Sequence, residues 1–159
     1  LIPEIPYSID SICKAIEARN KQKKGCTILA VAEGAIPKER AEMSKKELKK
    51  FMETYQYPAV SYEIADQLTK RLGTEVRVTV PGHTQRGGSP CPYDRVLSTR
   101  LGAAAAQAIL EDAYGYMIGI VNGECQRIPL EESAGKLKFV DPNSSIISEA
   151  KMIGISFGD

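Results

Sequence analysis

Apolar side chains recur at helical spacing in two stretches of the chain and predict two amphipathic helices. The first helix follows Ser8, a residue type that caps helix N-termini, and Gly25 after a basic tail predicts its end. Its apolar positions are Ile9, Ile12, Cys13 and Ile16. The second helix is predicted at about 59–72, and Gly73 ends it. Its apolar face consists of Val60, Ile64, Leu68 and Leu72.

Short runs of β-branched and other apolar residues predict buried strands at 26–32 and 76–80. On the second strand Val76, Val78 and Val80 are predicted to share one face, with Arg77 and Thr79 on the other. The alternation of strand, helix and strand indicates an α/β fold with a parallel sheet. Residues 1–4 resemble the tail of a further strand, so we expect a processed or truncated chain.

A polar stretch at about 36–56 interrupts this alternation and is interpreted as an exposed insertion. Within it, Ser44 and Glu47 have the spacing of a capping box and predict the start of a lysine-rich helix.

The second half of the chain predicts a long helix, a hairpin and a final helix. Ser89 and Pro90 have the residue types of an N-cap and a first helical position, and the alanine-rich helix is predicted to run through Ala113. The Asn122-Gly123 pair, between apolar runs at 116–121 and 126–130, is a strong hairpin signal. Asn143 or Ser144 is predicted to cap the last helix.

Composition excludes several classes of protein. Lys and Arg number 21 against 20 Asp and Glu, so no strong field favours nucleic acid or an anionic membrane. The four cysteines form no C-x-x-C pair, which favours free thiols in a reducing cytoplasm over disulfides or zinc. No apolar run approaches the roughly 20 residues of a membrane helix, and no signal peptide is visible.

The loop at 81–90 is the most unusual segment, and its composition predicts no regular element. It follows a predicted strand and precedes a predicted helix, where open α/β sheets bind ligands. It contains His83, the only histidine, together with Arg86 and three glycines, and Arg77 on the preceding strand could supply a second cation. Glycine lets a backbone approach an anion closely, and a guanidinium matches phosphate oxygens.

Two interpretations of this loop stay open: a phosphate or carboxylate site, or a tight turn with a structural Arg–carboxylate pair. The loop lacks the spacing of a nucleotide-binding P-loop. Glu33, at the end of the strand predicted at 26–32, could accept hydrogen bonds from sugar hydroxyls, or it could be an ordinary solvated carboxylate.

Residues 76–102, V-R-V-T-V-P-G-H-T-Q-R-G-G-S-P-C-P-Y-D-R-V-L-S-T-R-L-G, resemble the signature of 6-phosphofructokinases. The runs I-L-A-V-A-E-G at 28–34 and I-P-E-I-P at 2–6 are similar to the strands that precede it. The resemblance implies a three-layer αβα, Rossmann-like sugar-binding domain with a parallel sheet, followed by a C-terminal hairpin and helices. The sugar-phosphate part would be about 1–88, and a helix with a returning large-lobe segment about 89–159.

The resemblance also implies roles for individual residues. Glu33 would hold fructose hydroxyls, while His83 and Arg86 would grip the phosphate of fructose 6-phosphate. Arg77 would reach that phosphate across a subunit interface, so a homo-oligomer is implied. Lys24 lies near the effector-binding lysine of allosteric members, although a solvent-facing helix-end lysine is the alternative.

Two family segments do not occur in this chain: the glycine-rich G-G-D-G-type loop and the T-I-D-N-D-type segment with the base and the magnesium ligand. We therefore expect a C-terminal fragment, inactive by itself, from a cytoplasmic glycolytic kinase that phosphorylates fructose 6-phosphate to fructose 1,6-bisphosphate. Catalytic residues and Mg²⁺ ligands would lie outside it. One alternative is an enzyme that uses pyrophosphate instead of ATP as the phosphoryl donor. The other is a non-catalytic module that binds sugar phosphates or has a regulatory role.

Overall fold

The computed structural model describes residues 1–23 and 25–159, which form two compact units. The first unit comprises Leu1–Val80 with Phe139–Asp159, and the second comprises Pro81–Lys138. None of the helices in the described ranges has the length and hydropathy needed to cross a membrane.

The described residues of the first unit form five helices, and their bounds are α1 Ile9–Lys21, α2 Lys38–Ala41, α3 Lys45–Glu53, α4 Val60–Leu72 and α7 Ser145–Met152. Ser8 occupies the N-cap of α1 as predicted, although the helix ends before Gly25. Helix α4 ends at Gly73, whose φ of 63° is left-handed, so the predicted glycine stop is confirmed. Ser144 is the N-cap of α7, one of the two predicted candidates.

The core of the first unit lies where α1 and α4 pack together, and it consists of Leu1, Tyr7, Ile12, Ala35, Ile64 and Leu68. Because Ile64 and Leu68 lie one turn apart, both can face α1, as the periodicity predicted. The other two predicted positions of this face, Val60 and Leu72, are partly buried against the same core.

The predicted strands at 26–32 and 76–80 are not strands in this structure. A strand requires a ladder of hydrogen bonds to a neighbour, and residues 26–32 have only a single-residue pairing. The Leu1 amino group donates to the Ala30 carbonyl at 2.6 Å, and the Ala32 N–H donates to Leu1 at 3.0 Å. The structure therefore shows mixed helices and strands but does not confirm the three-layer parallel-sheet arrangement.

The polar stretch at 36–56 forms α2 and α3. Ser44 and Glu47 make the predicted capping box, since the Glu47 N–H donates to Ser44 Oγ and the Ser44 N–H donates to Glu47 Oε2. No residue of α3 is buried, as expected for an exposed insertion. The expectation fails at Arg40 in α2, which is only 8% exposed because it is paired with Glu63 of α4.

The second unit contains a 3₁₀ helix at Gly82–Arg86, helix α5 at Pro92–Leu110, strands β1 at Tyr116–Val121 and β2 at Glu124–Pro129, and helix α6 at Leu130–Ser133. The two strands pair antiparallel, with Tyr116 opposite Pro129 and Val121 opposite Glu124. Asn122 and Gly123 have φ values of 51° and 84°, the positive pair that a tight hairpin turn needs. The predicted hairpin is therefore confirmed.

Helix α5 begins later than predicted. Its N-cap is Cys91 and its first residue is Pro92, whereas Ser89 and Pro90 precede the helix. The Cys91 N–H donates to the Asp94 carboxylate at 2.9 Å, which satisfies a backbone donor at the helix start. Ser89-Pro90 and Cys91-Pro92 both place a proline directly after a possible N-cap. Only Cys91 is followed three residues later by an acidic residue, Asp94, which completes the cap.

Candidate functional site

The loop that the sequence singled out is built around the 3₁₀ helix Gly82–Arg86. The Thr84 N–H donates to the Pro81 carbonyl at 3.1 Å, and the Gly87 N–H donates to Thr84 at 3.1 Å. Gly88 then leaves the helix with a φ of 107°, a conformation that favours glycine. The expectation that this segment contains no regular element is thus wrong, because five residues form a short helix.

His83 and Arg86 come together on one side of this helix. Residues three apart eclipse each other in a 3₁₀ helix, so the imidazole and the guanidinium share a face. With Gly82 and Gln85 they line an open pocket of about 260 Å³. Gln85 was not a predicted site residue; its place inside the G-H-T-Q-R-G-G run is the signal that could have indicated it.

This pocket offers groups that suit an oxyanion. The Arg86 guanidinium donates a planar fork of hydrogen bonds, and His83 and the Gln85 amide can each donate another. All four lining residues are exposed, so a ligand displaces water without entering a closed cavity. Charge-assisted hydrogen bonds of this kind contribute about 1.5–3 kcal/mol each. The arrangement can bind a phosphate group.

Glu33 occupies a tight turn in the first unit. The Ala35 N–H donates to the Ala32 carbonyl at 3.0 Å, and this bond closes the turn with Glu33 and Gly34 at its centre. A Cβ at Gly34 would lie 3.0 Å from Pro3 Cγ, so the turn packs closely on the N-terminal segment. Glu33 itself is exposed, and its carboxylate can accept hydrogen bonds from hydroxyl groups.

Arg77 points into solvent from an extended segment of the first unit. Its side chain is 84% exposed, and its Nε donates to the Glu75 carboxylate at 2.8 Å. Val76 and Val78 are half-buried while Arg77 and Thr79 are exposed, which confirms the predicted alternation over these four residues. The alternation fails at Val80, which is exposed.

The predicted site residues are therefore divided. His83 and Arg86 share one pocket of the second unit, whereas Glu33 and Arg77 belong to the first. Among the described residues no hydrogen bond joins Glu33 to Arg77. Lys24, the predicted effector residue, lies outside the described residues.

A second pocket, of about 370 Å³, lies on α3 and is lined by Met43, Glu47, Lys50, Phe51 and Thr54. Its carboxylate is already used, because hydrogen bonds from the Ser44 side chain and backbone lower the pKa of Glu47. With its one acidic side chain engaged in capping, this pocket is a weaker candidate than the His83–Arg86 pocket.

Within residues 1–23 and 25–159, no three His, Cys, Asp or Glu side chains are grouped so that they could hold a metal ion. The Mg²⁺ ligands were expected to lie outside this chain. That the ion is held elsewhere in a longer protein stays a prediction.

A model of the phosphofructokinase family matches residues 1–109, which include Glu33, Arg77 and the whole His83–Arg86 pocket. The chain belongs to the phosphofructokinase family. Similar curated proteins extend the match to the rest of the chain. An ATP-dependent 6-phosphofructokinase of Spirochaeta thermophila is 45% identical over 159 residues, and one of Chloroflexus aurantiacus is 42% identical over 159 residues.

ATP-dependent 6-phosphofructokinase 3 of Bacteroides thetaiotaomicron is 39% identical over 158 residues. These alignments cover 99–100% of this chain but only 42–43% of each relative. The chain therefore spans less than half the length of the curated phosphofructokinases that it matches.

Proposed function

We propose that this chain is the fructose 6-phosphate-binding part of an ATP-dependent 6-phosphofructokinase, which transfers a phosphoryl group from ATP to the sugar phosphate and forms fructose 1,6-bisphosphate. The observation that carries the proposal is the pocket in which His83 and Arg86 share one face of a short helix, inside the segment that matches the family.

In this proposal the residues of the chain bind and orient the substrate. Arg86 holds the 6-phosphate through its guanidinium fork, and His83 donates a further hydrogen bond, without a role as general base. Gln85 is placed to donate from its amide. Glu33 accepts hydrogen bonds from the sugar hydroxyls, which lets the protein distinguish a sugar phosphate from free phosphate.

The phosphoryl donor is assigned to ATP because the similar proteins are named ATP-dependent 6-phosphofructokinases. Pyrophosphate is the alternative donor. Mg²⁺ would neutralise charge on the transferred phosphoryl group. Its ligands, the donor site and the base that accepts the hydroxyl proton are proposed to lie in other parts of a longer protein, and this chain alone is expected to have no kinase activity.

We also propose that the enzyme is a cytoplasmic homo-oligomer in which Arg77 serves the substrate phosphate of a neighbouring subunit. The 84% exposure of the Arg77 side chain supports this role, because a guanidinium turned away from its own core is accessible to a partner. Completion of the three-layer parallel sheet in the longer protein, allosteric regulation and an effector role for Lys24 remain proposals that rest on the family resemblance.

The test uses the full-length enzyme and the variants Arg86→Ala and His83→Ala. We expect the KM for fructose 6-phosphate to rise roughly ten- to a hundredfold, since each variant loses a charge-assisted phosphate contact. The KM for ATP should change much less. Arg127→Ala is the matched control, because Arg127 forms an ion pair with Glu111 in the same unit and does not line the pocket.

An increase in the KM for ATP with an unchanged KM for fructose 6-phosphate would place the pocket at the donor and contradict the proposal. Steady-state assays with ATP and with pyrophosphate decide the donor. Absence of turnover with either would favour the non-catalytic sugar-phosphate-binding module.

A further inference from the structure

Backbone hydrogen bonds hold the chain segment that follows the Glu33 turn. The Tyr7 N–H donates to the Ile36 carbonyl at 3.1 Å, and the Lys38 N–H donates back to the Tyr7 carbonyl at 2.9 Å. These two bonds form a parallel bridge between Tyr7 and Pro37. Helix α2 begins at Lys38, so the direction of the chain after the turn depends on where α2 is held.

Helix α2 is held by a buried ion pair. Arg40 Nη2 donates to Glu63 Oε2 of α4 at 2.6 Å, and both residues are buried. The Tyr55 hydroxyl donates to the same oxygen at 2.8 Å, and Gln67 Nε2 donates to the other oxygen at 3.1 Å. Both carboxylate oxygens are therefore satisfied, which a buried charge requires if it is not to destabilise the fold.

Two aromatic rings lie near the guanidinium of Arg40. The central carbon of Arg40 lies 5.2 Å from the ring centroid of Phe51 and 5.5 Å from that of Tyr55. A cation over an aromatic face is attracted to it, most strongly where water is excluded. Two half-buried residues of the polar insertion, Phe51 and Tyr55, thus flank the ion pair.

Tyr7 holds the exit of the turn through its backbone. Burial, followed by the negative charge of Glu63, raises the pKa of the Tyr7 phenol to about 12, so the phenol stays neutral. Its hydroxyl is buried and forms no hydrogen bond within the described residues. The backbone of the same residue pairs with the exit of the Glu33 turn. A disturbance of the ion pair therefore reaches the turn through α2, whose first residue, Lys38, donates to the Tyr7 carbonyl.

We propose that Arg40 and Glu63 are positioning residues for Glu33, which fix the exit of its turn and hold the carboxylate in place for the sugar. The inference rests on the proposed function, because it assumes that Glu33 binds fructose 6-phosphate. It assigns the polar insertion a part in substrate recognition, although no residue of the insertion need touch the substrate.

Amide hydrogen exchange tests the structural step in the full-length protein. Arg40→Met keeps the length of the side chain and removes its charge. We expect exchange at the Ala35 and Lys38 amides to accelerate at least roughly tenfold, since local opening exposes the amides that the anchor held, while the amides of α4 keep their protection. Arg71→Met is the control, since Arg71 pairs with Asp10 on the surface of the same unit.

Unchanged protection at Ala35 and Lys38 would overturn the proposal. If the single variant loses protection throughout the first unit, the double variant Arg40→Met with Glu63→Gln decides, because it leaves no buried charge unpaired. If the double variant regains amide protection in α4 but still exchanges fast at Ala35 and Lys38, the positioning role is supported. If it regains protection at all of these amides, the ion pair only stabilises the fold and the proposal is overturned.

Kinetics of the full-length enzyme test the functional step. Arg40→Met should raise the KM for fructose 6-phosphate by roughly tenfold, as expected when one hydrogen-bonding group no longer reaches the substrate, with kcat much less affected. Arg40→Lys, which restores the charge, should recover part of the loss. A fall in kcat at unchanged KM, or no difference from Arg71→Met, would contradict positioning.

Glu33→Gln separates the two proposals. If this variant leaves the KM for fructose 6-phosphate unchanged, the function proposed for Glu33 is wrong, and the kinetic role of Arg40 is wrong with it. The exchange experiment does not depend on that outcome and still decides whether Arg40 holds the turn.

Discussion

The two units bury their side chains very differently. In the first unit the buried apolar residues come from distant parts of the chain: Leu1, Ile5, Tyr7, Ile12, Ala35, Ile64, Leu68 and Ile147. Within residues 81–138, all of which the structure describes, only Ala108 is buried, and α5 exposes Tyr93, Val96, Ile109 and Leu110. The first unit depends on long-range packing, and the second on contacts among neighbouring elements.

This difference in packing affects the candidate site. Glu33 sits on a turn whose position depends on the N-terminal segment, α2 and α4, whereas His83 and Arg86 sit on one short helix closed by its own backbone hydrogen bonds. We therefore expect substitutions in the core to disturb Glu33 more than the His83–Arg86 pocket. Stability measurements on matched variants of the two units test this difference.

The largest effect is expected for Ile64→Ala compared with Ile109→Ala. Ile64 is 2% exposed, so its truncation leaves a cavity and should cost about 2–5 kcal/mol of the free energy of unfolding. Ile109 is 60% exposed and lies on α5, where the same change should cost little. Chemical denaturation followed by circular dichroism measures both. Equal losses would show that the second unit is as well packed as the first.

A smaller effect separates Gly158→Ala from Gly154→Ala. Both glycines have positive φ, so both variants carry backbone strain. A Cβ at Gly158 would also lie 3.0 Å from Leu1 Cδ2 and from Tyr7 Cβ, whereas nothing lies within 4 Å at Gly154. The free energy of unfolding of Gly158→Ala should therefore be lower than that of Gly154→Ala by about 1–3 kcal/mol, typical of overpacking. Equal shifts in the melting temperature would mean that Gly158 does not pack on the core.

The smallest effect, and a stabilising one, is expected for Gly102→Ala in α5. Gly102 lies inside the helix, and a Cβ at this position would meet no side chain within 4 Å, so alanine gains helix propensity without a clash. The gain should be about 0.5–1 kcal/mol. Slower amide exchange along α5, with unchanged exchange in α4, would confirm that the units respond separately; slowing in both would contradict it.

Helices were predictable because their information is local. The apolar spacing of Val60, Ile64 and Leu68 and the stop at Gly73 lie within one element, as do the two turn residues of the hairpin. The strands at 26–32 and 76–80 were not, since a strand also needs a partner, and the spacing of apolar residues does not reveal which chain segment pairs with it.

Within the candidate site, the residue types of the loop indicated an anion pocket, and the structure brings His83 and Arg86 together. The burial of Arg40 could not be predicted, because arginine is almost never buried unless paired and its partner Glu63 lies 23 residues away along the chain. Two charged residues that pair over a long sequence separation produce no periodic pattern, so the sequence around each residue does not indicate a buried ion pair.

Equilibrium binding of fructose 6-phosphate and of unphosphorylated fructose to the full-length protein tests directly whether Arg86 holds the substrate phosphate. Arg86→Ala should weaken binding of fructose 6-phosphate roughly ten- to a hundredfold relative to Arg127→Ala and leave the weak binding of fructose unchanged, because only the phosphate contact is lost. Wild-type affinity for fructose 6-phosphate in Arg86→Ala would show that Arg86 does not bind the phosphate.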